Sequence, residues 1–131
     1  MSAEFSQQHQ KMDRGKVPVD IIYHRISQIL ELVYADDTSV SLRAEYLRVL
    51  SPSAEVRGHT SEQAVLQYGK KLVNISGISL QGSYAILITF DDKHDTGVYT
   101  WNYLWDLAKN ETVYWQEYLD KLSRAGKARE K

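Results

Sequence analysis

Two β-prone runs, Val73 to Leu80 and Ser83 to Phe90, are separated only by Gln81-Gly82. A link that short joins antiparallel strands, because a parallel crossover needs a dozen residues or more. The same design occurs upstream. Ile21 to Arg25 and Ile29 to Tyr34 are β-prone, and the second alternates Ile29, Glu31 and Val33 against Leu30, Leu32 and Tyr34. "ADDTS", Ala35 to Ser39, is a turn signal, and Ser39 to Leu42 returns as a strand. Leu42, Tyr46, Leu47 and Leu50 then recur at helical spacing, which predicts a short helix over Ala44 to Leu50. Gly97 to Thr100 reads as a further short strand. Trp101, Leu104, Trp105 and Ala108 form one apolar stripe of a helix. Asn110 is placed to cap a second helix with a face of Trp115, Tyr118, Leu119 and Leu122, and Gly126 ends it. The order predicts an α+β fold: a single domain of antiparallel β-hairpins or sheet, with a short mid-chain helix and C-terminal helices.

The chain has 131 residues, enough for one domain and little more. Residues 1–16 are polar and read as a disordered arm. The domain is expected over 17–124, with 125–131 a basic flexible tail. "TSEQ", Thr60 to Gln63, matches a capping box, so Ala64 to Tyr68 is either a short helix or an irregular loop.

What the chain lacks excludes several chemistries. There is no cysteine, which removes disulfides, thiolate catalysis, Cys-ligated zinc and self-held iron–sulfur clusters. The formal net charge of −1 supplies no bulk field toward nucleic acid or anionic membrane. No window approaches a membrane span and the N-terminus has no signal-type apolar core, so the expected location is the cytoplasm. No phosphate-binding loop or dinucleotide fingerprint occurs, and none of His9, His24, His59 or His94 has an acid two residues on, as an iron oxygenase would need.

Two segments retain chemical interest. Ser51, Ser53 and His59, with Glu55 as an orienting acid, invite a nucleophile reading, but no Gly-x-Ser-x-Gly elbow accompanies them. The plainer alternative is a turn set by Pro52 with serines bonded to nearby backbone. "DDKHDTG", Asp91 to Gly97, places His94 among three aspartates. It reads either as a weak metal or proton-transfer site or as a hairpin turn with solvated charges. Aromatic stripes and the basic tail open a nucleic-acid reading, against which stand core packing and the net charge.

"YLRVLSPSAEVRGH" and "GSYAILITFDDKHDTGVYTWNYLWDL", preceded by "LELVYADDTSVSLRAEYLR", together resemble the gamma-butyrobetaine hydroxylase-like N-terminal domain over roughly Pro18 to Leu107. In the hydroxylases this domain precedes a separate catalytic domain and holds a structural zinc through a Cys-x-Cys-x-x-Cys run and a later histidine. Carried over by position, the cysteines fall on Ser51, Ser53 and Val56, and the histidine on His94. The resemblance therefore implies a zinc loop without its thiolates, no structural zinc and no cofactor. It also implies no catalytic residues, because the iron and 2-oxoglutarate site lies in the other domain. Related domains are attached to P-loop ATPases that scaffold iron–sulfur clusters. The implied function is a stand-alone accessory domain that binds a protein partner in iron–sulfur or oxygenase metabolism; residue chemistry places the expected contact at Arg57, His59, His94 and Tyr99. The alternatives are weak metal binding through His94, His59 and the Asp91–Asp95 turn, and nucleic-acid binding through the tail.

Overall fold

Alternation in the first strands sets the first sheet. The computed structural model describes residues 17–58 and 64–131. The expected N-terminal arm, the "TSEQ" capping box and His59 lie outside the described residues. Strands β1 (Asp20–His24), β2 (Ile29–Val33) and β3 (Ser39–Arg43) pair antiparallel in the order β1-β2-β3. Leu30 faces Tyr23 on one side and Leu42 on the other. Leu30 and Leu32 are fully buried while Ile29, Glu31 and Val33 are half-buried, as the period of two requires. In the β2–β3 turn Asp37 adopts a φ of 69°, and the Asp36 carboxylate accepts hydrogen bonds from the Thr38 amide and hydroxyl.

Helix α1 (Ala44–Val49) leaves β3 without a linker, and all its residues are buried. One turn follows as α2 (Ala54–Arg57), capped by the Ser53 hydroxyl, which accepts from the Glu55 amide. Residues 64–68 form an irregular loop rather than a helix, tied back where the Val65 amide donates to the Val56 carbonyl.

The hairpin across Gln81-Gly82 builds the second sheet. β4 (Ile75–Gln81), β5 (Ala85–Phe90) and β6 (Gly97–Thr100) pair antiparallel in that order, with a register shift between Ile75 and Gly77. α3 (Trp101–Lys109) starts directly from β6, capped by the Thr100 hydroxyl, and α4 (Glu111–Ala125) follows. Asn110 does not cap α4 with its side chain, contrary to expectation. Its amide instead reaches back to the Asp106 carbonyl and carboxylate, closing the end of α3. Gly126 ends α4 in the left-handed region at φ 66°.

Both sheets and α3 share one core. Leu30, Leu32 and Leu42 meet Ile86, Ile88 and Phe90, with Leu104 and Leu107 closing it from α3. Each such fully buried side chain contributes roughly 1.5–3 kcal/mol of transfer free energy. Leu107 lies off the expected Trp101–Ala108 stripe, yet it is buried because Tyr46 reaches its carbonyl at 2.8 Å and α1 packs on that side.

The segment expected to be a free basic tail follows a different course. The Gly69 and Lys71 amides donate to the carbonyls of Ala128 and Arg129, and Arg129 forks onto Glu45 at 2.9 and 2.8 Å. Glu45 is buried on α1, and a buried carboxylate needs a cation; residue 129 supplies it. No helix among the described residues is long and apolar enough to cross a membrane.

Candidate functional site

α1 delivers the chain to Ser51, and the β5–β6 turn delivers His94 to meet it. The turn is fixed first. Lys93 takes a φ of 74°, the Phe90 amide donates to the His94 carbonyl, and the His94 amide donates to the Asp92 carboxylate at 3.2 Å. The other oxygen of Asp92 accepts from Arg48 at 2.9 Å and Lys70 at 2.6 Å. His94 is thereby aimed inward, its Nε2 at 2.8 Å from the Ser51 hydroxyl and its Nδ1 at 3.3 Å from the Glu55 carboxylate. The Ser53 amide donates to Ser51 Oγ, and the hydroxyls of Ser53 and Thr96 bond at 2.7 Å. Tyr99 closes the floor by donating to the Leu47 carbonyl at 2.5 Å.

The surroundings of His94 disfavour its charged form. Burial and the Arg48 charge push its pKa down, against the pull of Glu55 and Asp92. For Asp92 burial pushes up, but the hydrogen bonds and charges of Lys70 and Arg48, with the His94 amide, prevail and hold the carboxyl below its usual range. Burial pushes the Tyr99 phenol well up.

Serine, histidine and acid thus stand in the order of a nucleophile triad, though with His94 in place of the histidine suggested by sequence, His59. Ser51, however, has no exposed surface. A Cβ on Gly97 would lie 2.7 Å from the Ser51 hydroxyl, so backbone covers it. An attacking oxygen needs a reacting carbonyl about 3 Å away, and there is no room for one. The cluster is a cross-link between the α1–α2 loop and the β5–β6 turn.

The positions that the family resemblance assigns to zinc do come together in part. Ser51 and Ser53 share a hydrogen bond, Ser51 binds His94, and Val56 sits in α2 with its side chain buried. These residues do not fit zinc. Two hydroxyls and an isopropyl group offer no thiolate, and both nitrogens of His94 already have protein partners. Among the described residues no group of three or more His, Cys, Asp or Glu could hold a metal ion. In the Asp91–Asp95 turn, Asp91 accepts from the Asn74 amide and Asp92 is engaged by cations.

Two of the residues expected on a partner-binding surface are corrected. His94 and Tyr99 are buried and face inward, because the turn and sheet need them as core and cross-link. Arg57 is exposed, its guanidinium 4.9 Å from the centroid of the Tyr103 ring. It stands over a groove of about 410 Å³ between α2, residues 64–67 and the two C-terminal helices. Leu50, Val56, Leu66, Tyr103, Tyr114 and Tyr118 line it. Tyr114 and Tyr118 stand four residues apart on α4, a spacing that could have marked the face. Nothing in the sequence places Leu66 opposite them. In the basic tail, Arg129 is held by Glu45 and Glu130 by Lys71.

A small α+β domain with two three-stranded sheets, and an inward His94 cross-linking two loops, defines the class. The chain belongs to the gamma-butyrobetaine hydroxylase-like N-terminal family, whose model matches residues 21–105. It is similar to a protein with an NMR solution structure at 47% identity and a TM-score of 0.75, covering 87% of this chain and 90% of that one. A second NMR solution structure is 43% identical, with a TM-score of 0.73 and coverage of 86% and 83%. A crystal structure of a protein of unknown function of the DUF971 family, from Acidithiobacillus ferrooxidans ATCC 23270, is 32% identical with a TM-score of 0.59 and coverage of 71% and 93%. No curated protein matches the chain.

Proposed function

We propose that this chain is a non-catalytic accessory domain that docks a protein partner at the Arg57 groove in the cytoplasm. The observation that carries the proposal is the contrast between two neighbouring sites. The serine and histidine that resemble catalytic groups are sealed, while the accessible groove combines an arginine with three tyrosines. Arginine and tyrosine are the residues that most often anchor protein interfaces. Membership of a family named for the N-terminal domain of a hydroxylase fits a module that serves a catalytic neighbour. On the family resemblance, its partners belong to oxygenase or iron–sulfur metabolism.

The test is quantitative capture of partners on immobilised wild type, Arg57→Ala and Tyr114→Ala, with melting temperatures measured in parallel. A defined set of proteins that binds wild type and is lost from both variants at unchanged melting temperature supports docking here. Equal capture by all three proteins places the partner elsewhere.

A further inference from the structure

We infer that the groove selects a partner segment carrying a carboxylate beside a large apolar side chain, with the carboxylate forked onto Arg57. This rests on the docking reading and specifies its chemistry. The tyrosine hydroxyls lining the groove all have protein acceptors: Tyr103 donates to the Leu50 carbonyl at 2.5 Å, Tyr114 to Asp106 at 2.9 Å and Tyr118 to the Gln67 carbonyl at 2.9 Å. They offer an occupant their ring faces rather than their polar tips, and Val56 and Leu66 complete an apolar wall. The anchoring group inside is therefore apolar.

The charges around the groove are not equivalent. Asp106 accepts from Tyr114 and from the Asn110 amide at 2.8 Å. Glu117 and Lys121 are exposed and lie four residues apart on α4. Arg57 and Lys121 are both cations on this rim with no ion pair among the described residues, but of the two only Arg57 is stacked on a ring of the groove. Stacked over the Tyr103 ring, its planar fork is held in place, and a carboxylate is the group that matches it with two parallel hydrogen bonds. The cavity volume suits one or two side chains. The half-exposed Val65 lines the groove, and Tyr68, half-exposed as well, follows three residues on, so apolar surface is offered to more than one side chain. The occupant is accordingly a length of polypeptide.

The full chain, labelled with nitrogen-15, is titrated with phenylacetate and separately with benzylamine, while backbone amide shifts are followed. Phenylacetate should give saturable shifts at Val56, Arg57 and Leu66 in the millimolar range, and benzylamine should not. Arg57→Gln should weaken phenylacetate binding roughly tenfold or more, as loss of a charged hydrogen bond does. Equal response to both probes in wild type overturns the carboxylate assignment without any variant. Partner capture that depends on Arg57 combined with no preference for phenylacetate leaves docking standing and removes this inference. Phenylacetate preference with no captured partner removes the docking reading and the polypeptide occupant together, leaving a site for a free organic acid.

Discussion

The Ser51 hydroxyl lies within hydrogen-bonding distance of the Ser53 amide and His94 Nε2, and it has no access to water. Replacing it by alanine strands a buried imidazole nitrogen and a buried amide, so Ser51→Ala should destabilise by about 1–3 kcal/mol in urea unfolding. Gly97→Ala attacks the same contact from the other side. Its new methyl would meet Ser51 Oγ at 2.7 Å and the Tyr99 ring at 2.9 Å, and the buried ring cannot move away. A loss of about 1–3 kcal/mol is expected, with His94 released from Ser51. An unchanged urea midpoint would show that the loop accommodates the methyl. The imidazole also sets a pH dependence. Its folded-state pKa lies below the ordinary imidazole value of 6.5 because of burial and Arg48. The unfolded chain therefore binds a proton that the folded chain refuses. Stability should be full above about pH 6.5 and decline as pH falls from there toward the folded value. A second decline, from Asp92, should come below its unfolded value of 3.8 as that carboxylate is protonated. Urea midpoints against pH for wild type and His94→Gln check this, since only the upper decline should vanish in the variant. The pairing of residues 51 and 94 was legible through the family resemblance, which put both at one site. Local spacing favoured His59, the nearer histidine in sequence, because sequence distance says nothing about which turn a sheet folds back onto a loop.

At the level of elements, the hairpins were readable because alternation and turn residues are local signals. The β2 pattern of buried Leu30 and Leu32 against half-buried neighbours follows directly from the sequence. Caps were less readable. Asn110 suits an N-cap by type, yet its amide finds the Asp106 side chain and carbonyl one turn back, while Thr100 and Ser53 cap helices unannounced. The C-terminal segment was misjudged for the same reason that its role matters: its partner, Glu45, is 84 residues away. That pair gives a prediction at this scale. Arg129→Ala leaves a buried carboxylate without its cation and should cost about 3 kcal/mol, with Glu45→Gln in the same chain recovering part of the loss. A double variant no more stable than Arg129→Ala would mean that the segment is held by its backbone pairing alone.

For the whole molecule, the two sheets, α1 and α3 close one core, and its stability should be independent of metal. The positions that resemble zinc ligands hold two serines, a valine and a histidine with both nitrogens engaged, so melting curves in strong chelator and in added zinc should superimpose. A melting temperature lowered by chelator would require a metal that this donor set does not explain. The fold class could be read from the strand order, but the groove could not, because it joins side chains from α2, residues 64–67 and α4 that no local pattern relates. The clasp between Glu45 and Arg129 also bears on synthesis. A ribosome that has completed both sheets, α3 and α4 has made everything the core needs except the cation for a carboxylate on α1. The nascent domain should therefore remain open to proteases around α1 until residue 129 has emerged.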